Sequence, residues 1–264
     1  MISPSERMIA QKDGAIGWMI FNNPERRNAI SMDMWSAIPA ILEDYDNDPE
    51  IRVIVLKGAG DKAFVAGADI SQFEKQRSSA ESVAEYDRIA EAANLRLGEF
   101  RKPTIAMIHG YCIGGGVGIA LQCDLRIAAD TARFGVPAAR LGLGYRWGGV
   151  KKLVDLVGPA FAKEIFLTAR HFSAAEAAAM RLINRALPEG ELESYVRGYC
   201  AHIAENAPLT MEAVKGVVSE LLKPAPNFDR ARCEALVARC FASEDYVEGR
   251  RAFMEKRKPV FAGR

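Results

Sequence analysis

Apolar positions along the first two hundred residues alternate between two periods, and the switches mark the elements. Met8 to Lys12 and Ala15 to Phe21 read as two strands around Asp13-Gly14, a pair suited to a tight hairpin. Asn22-Asn23-Pro24 ends the second strand, and Arg26 and Arg27 follow in a polar loop. From Met32 to Tyr45 the spacing of Met34, Ile38, Ile41 and Leu42 predicts an amphipathic helix. Arg52 to Lys57 is then a buried strand, Ser82 to Phe100 a second helix, and Thr104 to His109 another buried strand behind Pro103. A short helix running through Ile119-Ala120-Leu121 leads to the strand Leu125 to Ala129. Strand, helix, strand in this order predicts parallel pairing with right-handed crossovers.

After Pro159 the pattern becomes almost wholly helical. Ala160–Thr168, Ala174–Met180, Leu192–Glu205, Leu209–Leu222, Asp229–Phe241 and Glu244–Lys256 each carry helical spacing or good helix formers. Ser173 with Glu176 three residues later reads as a capping box, and Pro224 and Pro226 separate two helices. The chain therefore divides into an α/β core, residues 1–200, and a helical part, residues 201–264. It contains no internal repeat and no low-complexity tract.

Composition narrows the class. A chain of 264 residues with 49% apolar and 26% charged residues buries a sizeable core as an ordinary globular protein. A net charge of +1 gives no global field to steer nucleic acid or an acidic membrane. Cys112, Cys123, Cys200, Cys233 and Cys240 have no zinc spacing and no CxxC, so they read as reduced, packed thiols of a cytoplasmic protein. The histidines His109, His171 and His202 form no metal-binding motif. No apolar run approaches the roughly 20 residues of a membrane span, and Met1 to Glu6 lacks the apolar region of a signal peptide.

The chemistry gathers at two strand-to-loop junctions. One is Gly110-Tyr111-Cys112-Ile113-Gly114-Gly115-Gly116-Val117-Gly118, where consecutive glycines open a helix and bring bare N–H groups close to whatever binds there. The other is Ala63-Phe64-Val65-Ala66-Gly67-Ala68-Asp69-Ile70, with Asp69 placed to cap a following helix. Each junction is also compatible with a tight packing corner. Two such loops, each offering a backbone N–H, could clamp one carbonyl oxygen and stabilise the charge of an enolate. Nucleotide motifs fail. A phosphate loop needs Lys-Ser or Lys-Thr after its last glycine, and a dinucleotide fingerprint starting at Gly116 needs glycine or alanine at Leu121.

These stretches resemble the enoyl-CoA hydratase/isomerase, or crotonase, superfamily over nearly the whole chain. The resemblance is carried by Asn23-Pro24-Glu25-Arg26-Arg27-Asn28-Ala29, the loop Ala66 to Asp69, the cluster Gly114 to Gly116, and Phe134-Gly135-Val136-Pro137. It continues through Phe172-Ser173-Ala174-Ala175-Glu176-Ala177 and Glu255-Lys256-Arg257-Lys258-Pro259. It implies a spiral of β-β-α units with a helical C-terminal trimerisation region, forming a homotrimer or a hexamer of two stacked trimers. It implies an acyl-CoA substrate, no cofactor beyond that coenzyme A, no metal, no nucleic acid and no membrane. It also implies that the N–H groups of Ala66 and Gly115 hold the thioester oxygen. Arg26, Gly67, Ala68, Asp69 and Lys258 are then the further substrate contacts, with the segment around Phe253, Lys256 and Lys258 reaching a coenzyme A group of its own or a neighbouring subunit.

One departure from the family decides what reaction to expect. The hydratases carry two glutamates for acid–base work, and the matching positions here are Gly118 and Ala138. Neither can move a proton, so two-glutamate hydration is not expected. Nearby stands Arg140-Leu141-Gly142-Leu143-Gly144-Tyr145-Arg146-Trp147, which resembles methylmalonyl-CoA decarboxylases in its tyrosine at Tyr145. Those enzymes have a histidine where this chain has Ala68. Losing CO₂ from a malonyl-type thioester needs an oriented carboxylate and a stabilised enolate, but no base. Three readings stay open: a lyase or isomerase of the enoyl-CoA type, a decarboxylase supported by Tyr145, and a non-catalytic acyl-CoA binder. Tyr145 and Trp147 are also compatible with a packed aromatic lid.

Overall fold

The computed structural model describes residues 4–69 and 80–264. The chain enters through an antiparallel hairpin of β1 (Met8–Asp13) and β2 (Ile16–Phe21), in register from Met8 opposite Phe21 to Asp13 opposite Ile16. Gly14 at its tip takes a φ of +54°, which its lack of a Cβ permits. Helix α1 (Met32–Asn47) carries the chain over to β3 (Val53–Gly58), parallel to β2. A repeating course begins there. One strand enters the large sheet, a three-residue strand enters a second sheet, and a helix returns the chain.

The first course is β3, β4 (Ala63–Val65) and α2 (Ala80–Gly98). The second is β5 (Thr104–Ile108), β6 (Tyr111–Ile113) and α3 (Gly115–Ala120). The third is β7 (Leu125–Ala129), β8 (Arg133–Gly135) and α4 (Trp147–Thr168). β9 (Phe172–Ser173) then closes the small sheet and β10 (Arg185–Leu187) the large one, with α5 (Ala174–Ala179) between them. The large sheet has the order β1-β2-β3-β5-β7-β10 and the small one β4-β6-β8-β9. This is the expected spiral of β-β-α units, with β3, β5 and β7 parallel as the crossovers require.

The large sheet is buried on both faces, which is why its strands read as continuous apolar runs. Met19, Phe21, Ile54, Leu56, Ala106 and Ile108 face the main core with Met34, Ile38 and Ile41 of α1. Trp18, Val53, Val55, Ile105 and Met107 face the other way, against Leu192, Val196 and Cys200 of α6 (Leu192–Ala204). Each such side chain contributes about 1.5–3 kcal/mol on burial. The rest of the described chain is helical: α7 (Pro208–Leu221), α8 (Arg230–Phe241) and α9 (Glu244–Met254). The capping box at Ser173 forms as expected, with the Ser173 side chain accepting from the Glu176 N–H at 3.2 Å. Asp229 and Ser243 cap α8 and α9.

Three expectations change. The stretch beyond Pro159 is not wholly helical, because Phe172–Ser173 and Arg185–Leu187 are strands. Helix α4 begins at Trp147 rather than Ala160, broken only at Gly158, whose φ of +77° lies outside the helix. The motif residues Tyr111–Ile113 and Arg133–Gly135 are strands of the small sheet, too short to show a period of two. The helix that Asp69 was expected to cap, and the first residues Met1 to Ser3, lie outside the described residues. Among the described residues no helix is long and apolar enough to cross a membrane.

Candidate functional site

Strands β4 and β6 are parallel neighbours, so the loops leaving their C-terminal ends start side by side. β4 runs into Ala66–Asp69 and β6 into the glycines that open α3. Two stretches far apart in sequence meet for this reason. A Cβ built on Gly115 would lie 3.9 Å from the Gly67 carbonyl carbon and 4.0 Å from the Ala68 nitrogen. Gly116 packs still closer. A Cβ there would fall 2.1 Å from the Val65 carbonyl oxygen, so no other residue fits without moving the loop. Gly114 turns the chain with a φ of +53° and its N–H donates to the Gly135 carbonyl at 2.8 Å, joining the β8 end to the same site.

The loop from Asn23 to Ser31 decides which N–H groups stay free. Arg27 and Asn28 both adopt left-handed backbone, with φ of 51° and 54°. The buried Asn28 side chain holds that shape. Its oxygen accepts from the Asn23 N–H at 2.9 Å, and its amide donates to the carbonyls of Ala59 at 2.9 Å and Ala63 at 2.7 Å. The Arg27 carbonyl is thereby aimed at the next loop and accepts the Ala66 N–H at 3.1 Å. That N–H is spent inside the protein, which corrects the expectation that Ala66 supplies an oxyanion donor. Ile30 bridges the same loop in parallel fashion. Its N–H donates to Gly67 O at 2.8 Å, and its carbonyl accepts from Asp69 N at 2.9 Å. In a parallel bridge the residue facing Ile30 turns its own N–H and carbonyl to the opposite side. That residue is Ala68, whose nitrogen lies 4.0 Å from a Cβ position on Gly115, and its N–H has no acceptor among the described residues.

Gly115 is the first residue of α3, whose first helical bond runs from Gly118 N to Gly114 O at 3.1 Å. The Gly115 N–H therefore has no intrahelical partner and no other acceptor among the described residues. At its far end α3 is held by Arg126, whose buried guanidinium donates to the carbonyls of Cys123 at 2.7 Å, Leu182 at 2.9 Å and Ala120 at 3.3 Å. Asp124 beside it accepts from Thr104 N and from Lys215, a structural role.

A Cβ on Gly118 of α3 would meet no atom of the described residues within 4 Å. Ala138 is buried in the one-turn helix Pro137–Leu141 that follows β8. Burial pushes the Cys123 thiol up to about 12 and raises that of Cys112 as well, so neither serves as a thiolate. The Tyr145 ring packs edge-on against Phe166 with centroids 4.8 Å apart, as an aromatic lid would. Desolvation raises the Tyr145 pKa and keeps the phenol protonated. Arg146 pairs with Asp87 of α2 at 2.5 Å.

The remaining expected contacts are dispersed. Arg26 reaches Asp69 at 3.4 Å, its own side chain half exposed and that of Asp69 buried, so the two loops are also joined by an ion pair. Lys258 lies beyond α9 and pairs with Glu205, and no contact of this chain brings it to the Ala66–Asp69 loop. Sequence reasoning named Ala68 as a contact but missed it as the free donor. No sequence signal marks it, because the distinction rests on which residue of the loop faces Ile30.

Comparison with known proteins gives a consistent picture. The family model described as enoyl-CoA hydratase/isomerase matches residues 11–264. A short-chain-enoyl-CoA hydratase of Clostridium acetobutylicum is 33% identical over 251 residues, covering 95% of both chains. A crotonyl-CoA hydratase of Syntrophomonas wolfei is 34% identical, covering 97% of this chain and 98% of that one. The crystal structure of an enoyl-CoA hydratase/carnithine racemase from Magnetospirillum magneticum superposes with a TM-score of 0.94 at 35% identity, over 98% of this chain and 97% of that one.

Proposed function

The chain belongs to the enoyl-CoA hydratase/isomerase family, and from that premise we propose that it is an enzyme acting on an acyl-CoA thioester. The thioester oxygen lies between the N–H groups of Ala68 and Gly115, which stabilise it as charge develops toward an enolate. The observation that carries this reading is the packing of the Ala68 nitrogen within 4.0 Å of a Cβ position on Gly115, both N–H groups lacking an acceptor among the described residues. Fixed backbone donors in a site that excludes water cost no reorganisation when the charge forms. Arg26, beside Asp69, serves the coenzyme A phosphates, and Gly67 lets the acyl chain approach the backbone. No cofactor is called for beyond the coenzyme A of the substrate.

Standard two-glutamate hydration is not the reaction we assign. The relatives named as hydratases suit the family, but Gly118 and Ala138 hold no acid or base. General acid–base groups contribute about 10²–10⁴-fold each. With purified protein and crotonyl-CoA, loss of the enoyl thioester absorbance should therefore run well below the median enzymatic rate of about 10 s⁻¹. Turnover at that rate would show that another residue does the acid–base work.

The tyrosine at Tyr145, shared with methylmalonyl-CoA decarboxylases, favours a second reading, decarboxylation of a malonyl-type thioester. The protonated Tyr145 phenol is a proton donor and not a base. In that reaction the C–C bond to the carboxylate breaks, CO₂ leaves, and the electron pair moves onto the thioester oxygen. A proton then returns to carbon. Tyr145→Phe should slow turnover of methylmalonyl-CoA or malonyl-CoA, and an unaffected rate would leave Tyr145 as an aromatic lid. The helical part, residues 201–264, is assigned to contacts between subunits of a trimer, or of a hexamer of two trimers. Support comes from the apolar groove of about 1100 Å³ among α7, α8 and α9, with Phe241, Phe253 and Met254 exposed along it.

A further inference from the structure

A second, polar cavity of about 340 Å³ lies at the large sheet, away from the loops of the thioester site. The thioester site is built where β4 and β6 end. This cavity is built where β3 and β5 begin, from Arg52 just before β3 and Arg101, Lys102 and Pro103 just before β5. Asp46 and Glu212 also line it, and Ala262 and Gly263 of the C-terminal segment form one wall.

Its charges do not balance. Asp46 is taken up by Arg101 at 2.6 Å and by Arg96 at 3.6 Å, and Glu212 by Arg239 at 3.1 Å. Among the described residues, neither Arg52 nor Lys102 has a carboxylate within ion-pair distance. Lys102 donates to two backbone carbonyls at the end of α1, Tyr45 at 2.5 Å and Asp48 at 2.7 Å. Arg52 donates through Nη2 to the Phe261 carbonyl at 3.2 Å, and its buried Nε has no partner among the described residues. An unmade hydrogen bond of a buried charged donor is costly, and native structures rarely keep one without a ligand or water. Burial, and then the like charge of Arg101, lower the Lys102 pKa to about 8, with Arg52 adding to the shift and Asp46 and Asp48 opposing it. This corner of the protein is short of negative charge.

We propose that this cavity is a binding site for a small, doubly charged oxyanion of the phosphate class, held by Arg52 and Lys102 and separate from the thioester site. Arg52 and Lys102 both line the cavity, so the planar guanidinium presents its outer edge to a tetrahedral anion and the ammonium supplies a point charge beside it. The volume accommodates an anion of that size with room for its hydration, while the flanking carboxylates disfavour larger polyanions. The wall is fixed. Ala262 N and Gly263 N donate to the Asp245 carboxylate at 2.7 and 2.8 Å, which ties the segment carrying the Phe261 carbonyl to the first turn of α9. A bound anion therefore braces β3, the end of α1 and the C-terminal segment together.

The test is a titration of the full-length protein with inorganic phosphate at constant ionic strength, chloride being the balancing ion, followed by calorimetry and by thermal unfolding. Saturable binding with a rise in Tm is expected. It should weaken at least tenfold in Arg52→Met and tighten in Glu212→Gln, which removes a lining negative charge without touching a phosphate contact. Free coenzyme A at saturating concentration should leave phosphate affinity unchanged. Three results would each overturn the proposal: no saturable phosphate effect beyond the chloride control, equal affinity in a folded Arg52→Met protein, or displacement by coenzyme A. The last would assign the anion to the phosphates of the substrate.

Discussion

A Cβ at position 118 would meet no atom of the described residues within 4 Å, so a side chain can leave α3 there without a clash at its first carbon. Ala138 is more confined, buried in a one-turn helix. Gly118→Glu combined with Ala138→Glu should therefore raise crotonyl-CoA hydration by about 10²-fold or more over the parent. The check is the same absorbance assay, and an unchanged rate in a folded double variant would mean that these positions do not face the bound acyl group. Gly116 makes the opposite case. A methyl group 2.1 Å from the Val65 carbonyl oxygen cannot be accommodated, so Gly116→Ala should cost about 1–3 kcal/mol as overpacking. A chemical denaturation midpoint equal to that of the parent would contradict the close contact between the two loops.

At the scale of elements, α3 is only six residues long and depends on what holds its ends. Its start is fixed by Gly114 donating to Gly135 O, and its end by Arg126 gripping the carbonyls of Ala120, Cys123 and Leu182. Arg126→Met would leave those buried carbonyls unpaired, with an expected loss of about 2–4 kcal/mol by denaturant titration. A loss below about 0.5 kcal/mol, the range of an ordinary surface change, would show that they find other donors. Long elements were legible in the sequence because their periods are long. α1, β3, β5 and the capping box at Ser173 follow from apolar spacing and end chemistry alone. β4, β6 and β8 were not, since three residues carry no period, yet they bring the two loops together. Likewise the glycine cluster marked the site, while the choice of Ala68 over Ala66 depends on the carbonyl of Arg27, fixed by Asn28 from another loop.

For the whole molecule, the two sheets share one spiral, and the C-terminal helices leave an apolar groove uncovered. Val214, Val218, Leu221, Phe241, Phe253 and Met254 are each at least half exposed, Phe253 at 83%. Contiguous apolar surface of this kind is a common mark of contact with another molecule, which supports the proposed subunit contacts. Light scattering at micromolar concentration should give a trimer or hexamer, and Phe253→Glu should shift it toward smaller species. A stable monomer of the unmodified chain would contradict the assignment of residues 201–264 to subunit contacts.

The central claim is that the spiral brings Ala68 and Gly115 together so that two backbone N–H groups grip one thioester oxygen. The direct measurement is the carbonyl stretching frequency of a bound acyl-CoA, isotopically labelled at the thioester carbon, by difference infrared spectroscopy. Two hydrogen bonds weaken the C=O bond, so the frequency should fall on binding. The fall should shrink in Gly115→Pro and in Ala68→Pro, each of which removes one N–H, with turnover reduced about 10²–10³-fold per donor. An unshifted frequency in the parent protein, or a shift as large as the parent's in both folded proline variants, would contradict the account.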